Sequence, residues 1–524
     1  MKKVFGAYSS IAILVFSMLT LFPKWIVDDA YISFRYAENL VMHGEFTFNV
    51  GEDPVEGYTG VLLPIGIALA LHLGIRPEIA AHFIGILSFL VLLVVFHKIL
   101  TRLRLPLSLR LLVFLLFATA PFLYTHVFSG LETIAFTALL LASTLRLHAI
   151  IHSGATSFLP YAMLALLLLL LSLCRPEGVV YAVIAFCVLG YTTALRITSG
   201  KAFIRSFLVF LVFPGALYFI WRWQYYGFLL PNTFYAKQST TLSGRSLHEL
   251  AYFCMQYLLL PTITLIVTLS LSPYGTWKQI KKIFFQPQRR AGMLTVGSLV
   301  IFGVIIVMQY IRSNLLMNFS HRFFVPLYPI GLFLLLWFLS PLLDNVLDRP
   351  VAWPMRHRLI LLGLLTIFSI QMAFHVNWLL KKEIPFAFKY KTRLSEMARP
   401  AGLYLERHVP ESEWLIVHFD AGAIPFYSGL RTVDFGGLND EYLAHNQSAS
   451  LKDRVDYFFA RRPGAVVFTS YEWERVTHGY EASMIVSDPR FKRYKLVKKF
   501  ANSTGKQYFE FVFLRNDLLA KPGS

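Results

Sequence analysis

The stretch AYSSIAILVFSMLTLFPKWIVDDAYISFRYAEN, residues 7–39, decides the architecture of this protein. Its first part, residues 7–23, is an uncharged apolar run long enough to cross the hydrocarbon core of a membrane, which is about 30 Å thick. Two adjacent carboxylates, Asp28 and Asp29, follow that run. Carboxylates at a membrane surface are costly to desolvate, so they are kept mainly where their charge is used. The stretch therefore predicts a membrane protein with a functional acidic pair beyond its first helix.

Composition extends this prediction to most of the chain. Of 524 residues, 56% are hydrophobic and only 15% are charged. This balance excludes an ordinary soluble domain and indicates a polytopic membrane protein. From residue 385 onward the chain has charges, turns and short alternating stretches but no spanning run. We therefore predict a transmembrane core over residues 1–384 and a soluble α/β domain over residues 385–524.

The positions of lysine and arginine predict the orientation. Lys2 and Lys3 precede the first apolar run, which places the N-terminus in the cytoplasm and the acidic pair outside. A cleaved signal peptide is the alternative, but no small-residue cleavage motif follows the run, so we expect a retained helix. Residues 60–73 are short and are interrupted by a proline and a glycine. We predict that they form an interfacial or re-entrant helix and not a span.

With that assignment, the apolar runs predict about eleven membrane-spanning helices of an all-α core. The basic loops then fall inside, so most of the net charge of +19 serves topology and no nucleic-acid partner is expected. The unusual polar clusters and the C-terminal domain fall outside. The predicted spans are residues 7–23, 79–97, 107–123, 131–147, 158–174, 178–195, 203–221, 251–271, 292–311, 324–342 and 358–379.

Acids and cations on one face of a helical membrane core suit glycosyl transfer from a lipid-linked donor. A carboxylate can deprotonate an acceptor hydroxyl, and lysine or arginine can neutralise the departing phosphate. In the first external loop, residues 24–78, we predict Asp28 and Asp29 as the catalytic residues. The candidate donor- and substrate-binding residues are Arg35, Glu56, Tyr58, Lys237, His321, Arg322, His418 and Asp420. Lys237, Arg322 and Arg35 would meet the phosphate, and His418 and Asp420 would face the acceptor.

Purely structural roles are also open to these side chains. Asp28 or Asp29 could cap a helix that starts at about residue 30. That helix has the apolar spacing of an amphipathic segment lying on the membrane surface. The corresponding structural roles elsewhere are a helix cap at Glu132, an interfacial ion pair between Arg175 and Glu177, lipid-facing side chains at Lys237 and Arg322, and a packed core position for His418.

Several stretches resemble a known family. Residues 28–40, followed by Gly44, Phe48-Asn49, Gly51-Glu52 and the segment 55–59, are similar to the opening of the actinobacterial terminal arabinofuranosyltransferase family and its bacterial relatives. Later stretches resemble the same family: Ser129-Gly-Leu-Glu-Thr133, Arg175-Pro-Glu-Gly178, Tyr225-Tyr-Gly227, Pro231-Asn-Thr-Phe-Tyr-Ala-Lys237 and Asp420-Ala-Gly-Ala-Ile-Pro425.

The resemblance implies the GT-C fold, in which a helical membrane core carries the catalytic acid in its first external loop and a soluble domain follows the last helix. It also implies a polyprenyl-phosphate sugar donor, a cell-envelope glycan or glycolipid acceptor, and a place in the bacterial cytoplasmic (inner) membrane. Arabinofuranose is the leading candidate sugar. A divalent cation could bridge the acids and the phosphate, but no spacing demands a metal site.

Two protein classes besides glycosyltransferases compete for this sequence. Transporters and ion-coupled membrane components place ionisable groups near the bilayer midplane, whereas the predicted spans here are almost free of charge at their centres. A non-catalytic envelope assembly factor on the same scaffold is the second class, because fold does not guarantee activity. In the soluble domain, alternating stretches predict strands at residues 414–418, 431–435, 465–469, 494–500 and 508–514, with a helix at 451–461.

Overall fold

The structure is a computed structural model. It describes residues 2–103, 105, 107–237, 244–260, 262–263, 266, 289–313, 315, 317–347, 355–477, 479–504 and 508–519. The predicted span 251–271 therefore lies partly outside the described residues, and the side chain of Lys237 lies outside them as well.

The N-terminal part of the chain is helical, as its apolar runs predict. Its helices are α1 (Lys2–Leu21), α2 (Asp28–His43), α3 (Leu62–His72), α4 (Pro77–Arg102), α5 (Leu107–Ala118), α6 (Pro121–Phe128), α7 (Thr133–Ser153), α8 (Phe158–Cys174), α9 (Glu177–Ala194), α10 (Gly200–Phe207), α11 (Phe213–Tyr226), α12 (Asn232–Lys237), α13 (Gly244–Phe253), α14 (Arg290–Tyr310), α15 (Leu327–Leu347) and α16 (Met355–Trp378). Short π-helical turns join α10 to α11, at Leu208–Val212, and follow α13 and α16, at Cys254–Leu258 and Leu379–Glu383.

Every predicted span overlaps a helix, but the count of eleven spans is not confirmed. Within the described ranges, five helical runs are long and apolar enough to cross a membrane: α4, α7, α9, α14 and the α10–α11 run. The bent pair α5 and α6, which meet at 49°, would make a sixth. Residues 60–73 contain the 11-residue helix α3, which is too short to span. Its interfacial position stays a prediction.

The C-terminal part of the chain, predicted as the soluble domain, is an α/β unit, as predicted. Its five-stranded sheet has the order β2-β1-β3-β5-β4. Strand β1 pairs in parallel with β2 and β3, and β5 pairs antiparallel with β3 and β4. The five predicted strands and the predicted helix are confirmed. The elements are α17 (Ile384–Arg393), α18 (Arg399–His408), β1 (Trp414–His418), α19 (Ala423–Ser428), β2 (Arg431–Asp434), α20 (Glu441–His445), α21 (Leu451–Ala460), β3 (Ala465–Ser470), α22 (Tyr480–Ser487), β4 (Tyr494–Ala501), β5 (Phe509–Arg515) and α23 (Asn516–Leu519).

The alternation of side chains along these strands divides the core in two. Leu415, Val417 and Val467 belong to the large core that is continuous with the membrane helices. Their neighbours Ile416 and Val466 face the opposite side, in a second core. One face of the sheet thus packs toward the helical core. The division of the chain at residues 384 and 385 stays a prediction, because helical turns continue from α16 into α18.

Helix α2 differs from its predicted position on the membrane surface. Tyr31, Phe34 and Ala37 are fully buried, and the charged side chain of Arg35 is buried as well. Tyr31 and Phe34 contact the ring of Phe426 in α19. The prediction of a surface helix is therefore wrong: α2 is covered by protein, and part of its cover is the soluble domain.

Candidate functional site

The two adjacent acids play different parts. Helix α2 begins at Asp28 itself, after Val27, so the prediction that either acid caps this helix is wrong. The two carboxylate oxygens of Asp28 accept hydrogen bonds from the backbone N–H groups of Gly422 and Ala423, each at 2.8 Å. A Cβ atom at residue 422 would lie 1.9 Å from the carbonyl oxygen of Asp28, so only glycine permits this approach. Asp28 fastens α2 to the soluble domain.

The electrostatic surroundings of Asp28 are acidic. Burial, and then the negative charge of Asp420, raise the pKa of Asp28 to about 8, although the two amide donors oppose the shift. Glu510 in β5 belongs to the same group of acids. Burial and the charges of Asp420 and Asp28 raise the pKa of Glu510 well above its usual range. Asp28 therefore holds its proton to a higher pH than an ordinary aspartate does.

Asp29 lines a narrow cleft next to the start of helix α2. Within the described part of the chain, no hydrogen bond or ion pair holds its carboxylate. Successive residues of a helix are rotated by about 100°, so fixing Asp28 on the soluble domain turns Asp29 away from it. The cleft is lined by Asp29, Ile32, Ser33, Gly57, Tyr58, Thr59, Gly60, Leu131, Glu132, Thr233, Arg322 and Leu438.

A buried ionic network reaches this cleft through Glu132 and Arg322, which both line it. Glu132 accepts from Arg175 Nη1 at 3.1 Å and from Arg322 Nη2 at 3.3 Å. Burial alone would raise the pKa of Glu132, but the positive charges of Arg322 and Arg175 outweigh it and lower that pKa. Arg175 also pairs with Glu177 at 2.8 Å, which confirms the predicted ion pair. Glu132 occupies the N-cap position of α7, but its side chain makes no cap hydrogen bond, so the structure does not support the alternative of a helix cap.

Arg322 brings unused hydrogen-bonding capacity to the cleft. Its side chain is buried, and within the described ranges its Nε atom has no partner. Its ion pair with Glu132 uses only Nη2. A guanidinium that keeps free donors beside an open cleft can bind a phosphate oxygen. Of the predicted binding residues, Arg322 and Tyr58 lie in the cleft with Asp29.

Arg35 and Glu56 lie outside that cleft and have other partners. Arg35 donates to the carbonyl oxygens of Phe48 at 2.6 Å and of Pro425 and Leu430 at 2.7 Å. Its guanidinium therefore joins the external loop to the soluble domain and is not available to a phosphate. Glu56 forms a buried ion pair with Arg222 at 2.6 Å.

Three further predicted residues, His321, His418 and Asp420, do not line the cleft either. His321 is buried against Gln256, at 3.0 Å, and burial lowers its pKa to about 4. His418 lies at the end of β1, 3.4 Å from Glu481. Asp420 accepts from the hydroxyl of Tyr508 and lies 3.9 Å from Arg393. Asp420 therefore acts on Asp28 through its charge and does not line the cleft.

Part of the site is not predicted from the sequence. Glu132, Ser33 and Thr59 are not among the predicted binding residues, and for Glu132 a helix cap is the structural alternative. Ser33 lies four residues after Asp29, which is the spacing that places two side chains on one side of a helix, so a signal for it exists. Nothing in the sequence indicates that Glu132 meets Arg322, because 190 residues separate them. Among the described residues, no group of three or more His, Cys, Asp or Glu is arranged to hold a metal ion.

Comparison with known proteins identifies the fold. A family model described as a domain of unknown function (DUF8728) matches residues 386–512, and no curated protein matches the sequence. Among solved structures, the crystal structure of ArnT from Cupriavidus metallidurans bound to undecaprenyl phosphate is similar, with a TM-score of 0.55 and 12% identity over 100% of this chain and 99% of that one. The same enzyme in the apo state gives a TM-score of 0.57 at 11% identity, over 98% of each chain.

A second protein has the same fold. The archaeal oligosaccharyltransferase AglB from Archaeoglobus fulgidus, in complex with an inhibitory peptide and a dolichol-phosphate, gives a TM-score of 0.52 and 12% identity, over 99% of this chain and 75% of that one. Both proteins are GT-C glycosyltransferases. The predicted GT-C fold, a mostly helical core with a small sheet domain, is therefore confirmed.

Proposed function

We propose that this protein is a membrane glycosyltransferase that moves a sugar from a polyprenyl-phosphate donor to a glycan or glycolipid of the cell envelope. The observation that carries the proposal is the cleft that Asp29 lines together with Arg322, the carboxylate of Asp29 having no partner among the described residues. The fold supports the donor class, because structures with this fold hold undecaprenyl phosphate in ArnT and a dolichol-phosphate in AglB.

In this proposal Asp29 is the catalytic base. Its carboxylate takes the proton of an acceptor hydroxyl, whose oxygen attacks the anomeric carbon of the donor. The new glycosidic C–O bond forms as the bond between the anomeric carbon and the phosphate oxygen breaks. The polyprenyl phosphate leaves with the bonding electrons, and Arg322 stabilises the added negative charge on that phosphate.

Asp28 has a positioning role in the same proposal. Both of its carboxylate oxygens are engaged by the Gly422 and Ala423 amides, and its raised pKa makes it a poor carrier of negative charge toward a substrate. Lys237 ends the short helix α12, whose residue Thr233 lines the cleft, so we retain it as a candidate phosphate ligand. Arg35, Glu56, His321, His418 and Asp420 are not proposed as substrate ligands.

The finer identity of the reaction rests on the sequence resemblance. We propose arabinofuranose as the transferred sugar, an envelope polysaccharide as the acceptor, and the external face of the bacterial cytoplasmic membrane as the place of reaction. The C-terminal domain would then lie outside, where it covers α2 and presents the acceptor to the cleft.

The test is a transfer assay with the full-length protein in nanodiscs. Radiolabelled polyprenyl-phosphate arabinofuranose and the matching pentose and hexose donors are each incubated with an envelope glycan fraction, with Mg²⁺ or with a chelator. Release of the free polyprenyl phosphate together with label in the glycan is expected for at least one donor. Absence of transfer from every donor, with and without the cation, would refute the proposal.

A further inference from the structure

The segment that carries Arg322 has an unusual backbone. Residues Phe319–Phe324 form a short 3₁₀ turn between α14 and α15, and Ser320 and His321 within it have φ angles of 45° and 57°. This left-handed region is unfavourable for residues other than glycine. Two such residues in succession persist only where surrounding contacts hold them. The left-handed pair directly precedes Arg322, the cation that lines the cleft.

Those contacts converge on one buried acid. Glu383, at the end of the π-helical turn that follows α16, accepts hydrogen bonds from the hydroxyl of Ser320, from Thr125 Oγ1 at 2.6 Å and from Trp378 Nε1 at 3.0 Å. The carbonyl oxygen of Ser320 is also held, by the ring of His126 at 3.0 Å. Ser320 is thereby fixed at both its side chain and its backbone, by residues of separate helical elements.

Glu383 does not itself line the cleft that contains Asp29 and Arg322. Its three partners are all neutral donors, and it is almost completely buried, at 3% exposure. A buried carboxylate that accepts from hydroxyl and indole donors fixes geometry and does not neutralise a cation. Its connection to the cleft runs through the backbone from Ser320 to Arg322.

We propose that Glu383 is a positioning residue for the donor phosphate: it holds the left-handed Ser320–His321 turn and thereby directs the guanidinium of Arg322 into the cleft. This inference rests on the proposed function, because it assigns Arg322 to the phosphate of a lipid-linked donor. It also links the end of α16 to the cleft.

The kinetic test uses Glu383→Ala, Glu383→Gln and Ser320→Ala in the full-length protein. Losing a charge-assisted anchor should raise the KM for the polyprenyl-phosphate donor about tenfold, with the acceptor KM within about twofold of wild type. Glu383→Gln keeps an acceptor oxygen, so its KM for the donor should lie between those of the wild type and Glu383→Ala. When Arg322 is already replaced by alanine, adding Glu383→Ala should change the KM for the donor by less than about twofold, because the effect of Glu383 acts through Arg322. Equal changes in both KM values, or full additivity with Arg322→Ala, would overturn the proposal.

A second measurement does not need catalysis. Hydrogen–deuterium exchange of the donor-free protein should be faster in the peptide covering residues 318–325 for Glu383→Ala and unchanged in the soluble domain. The matched control is Glu396→Ala, which removes a partly exposed acid that accepts from Ser503 and should leave that peptide unchanged. Unchanged exchange in Glu383→Ala would overturn the positioning role. A wild-type protein that transfers no sugar would instead refute the proposed function, and the exchange result would still decide the role of Glu383 as an anchor.

Discussion

Exchanging the carboxylates of Asp28 and Asp29 for amides, one at a time, should separate catalysis from anchoring. Asp29→Asn removes a group that has no hydrogen-bond partner within the described residues, so folding should be nearly unchanged. A positioned general base contributes about 10²- to 10⁴-fold to a rate. We therefore expect kcat to fall by at least about 100-fold, which corresponds to about 2.7 kcal/mol of transition-state stabilisation.

Replacing Asp28 should have a different signature. Asp28→Ala leaves the Gly422 and Ala423 amides without their acceptor. Each unsatisfied donor costs about 1–3 kcal/mol, so the loss should be about 2–6 kcal/mol of unfolding free energy. Asp28→Asn retains one acceptor oxygen, so its loss of unfolding free energy should be about half of that in Asp28→Ala. Activity at a temperature where the variant is folded should fall much less than in Asp29→Asn.

The assay compares transfer rate and thermal unfolding midpoint in the same nanodisc preparations. Asp53→Asn is the matched control, since Asp53 is an exposed acid in the same external loop, and it should change neither quantity. An Asp28→Asn protein that is folded but inactive, together with an active Asp29→Asn protein, would refute the assignment. Loss of activity in both variants at full stability would show that the acids act jointly and that Asp28 is more than an anchor.

Three further predictions concern stability. The pKa of Asp28 is raised from 3.8 to about 8 in the folded protein, so the folded state holds this proton more tightly than the unfolded state does. The thermal unfolding midpoint should therefore fall as pH rises from about 4 to 8. Thermal scans across that range should show a flatter slope for Asp28→Asn. Gly422→Ala should destabilise the protein by about 1–3 kcal/mol through the clash with Asp28, whereas Gly190→Ala, with no atom within 4 Å of the added Cβ, should not lower the midpoint. Arg175→Ala should lower the free energy of unfolding by about 3–5 kcal/mol, because it removes a cation that pairs with the buried acids Glu132 and Glu177. The control Arg475→Ala breaks an exposed ion pair and should leave the denaturation midpoint unchanged.

Much of the fold is predictable because its signals are local. Apolar runs give the helices, and alternating side chains in the soluble domain give strands such as Ala465–Ser470 at their observed positions. The number of spans is harder to predict from the sequence. Short or bent helices such as α3 and the α5–α6 pair contain apolar runs but lack the length or straightness of a span. Hydropathy reports apolarity, whereas crossing also depends on length and geometry.

The site is only partly predictable, because its contacts join distant parts of the chain. Tyr58 and Arg322 can be chosen from residue type and topology, and both line the cleft. Arg35 is chosen by the same reasoning, yet three backbone carbonyl oxygens occupy its guanidinium, two of them 390 and 395 residues away. Residue type reveals that a side chain can bind phosphate, but only tertiary structure reveals whether its donors are already used.

The docking of the soluble domain connects these observations. Asp28 and Arg35 lie on α2 and both bind the backbone of the segment 422–430, so two anchors fix the rotation of that helix about its axis. Two fixed points leave Asp29 little freedom, since its direction follows from the helical geometry. The direction of Asp29 is thus set by its neighbours, and no hydrogen bond within the described ranges occupies its carboxylate, which in the proposed mechanism accepts the proton of a substrate hydroxyl. A GT-C core with an unattached soluble domain would lose this orientation, and the same acidic pair would then be two exposed carboxylates without distinct roles.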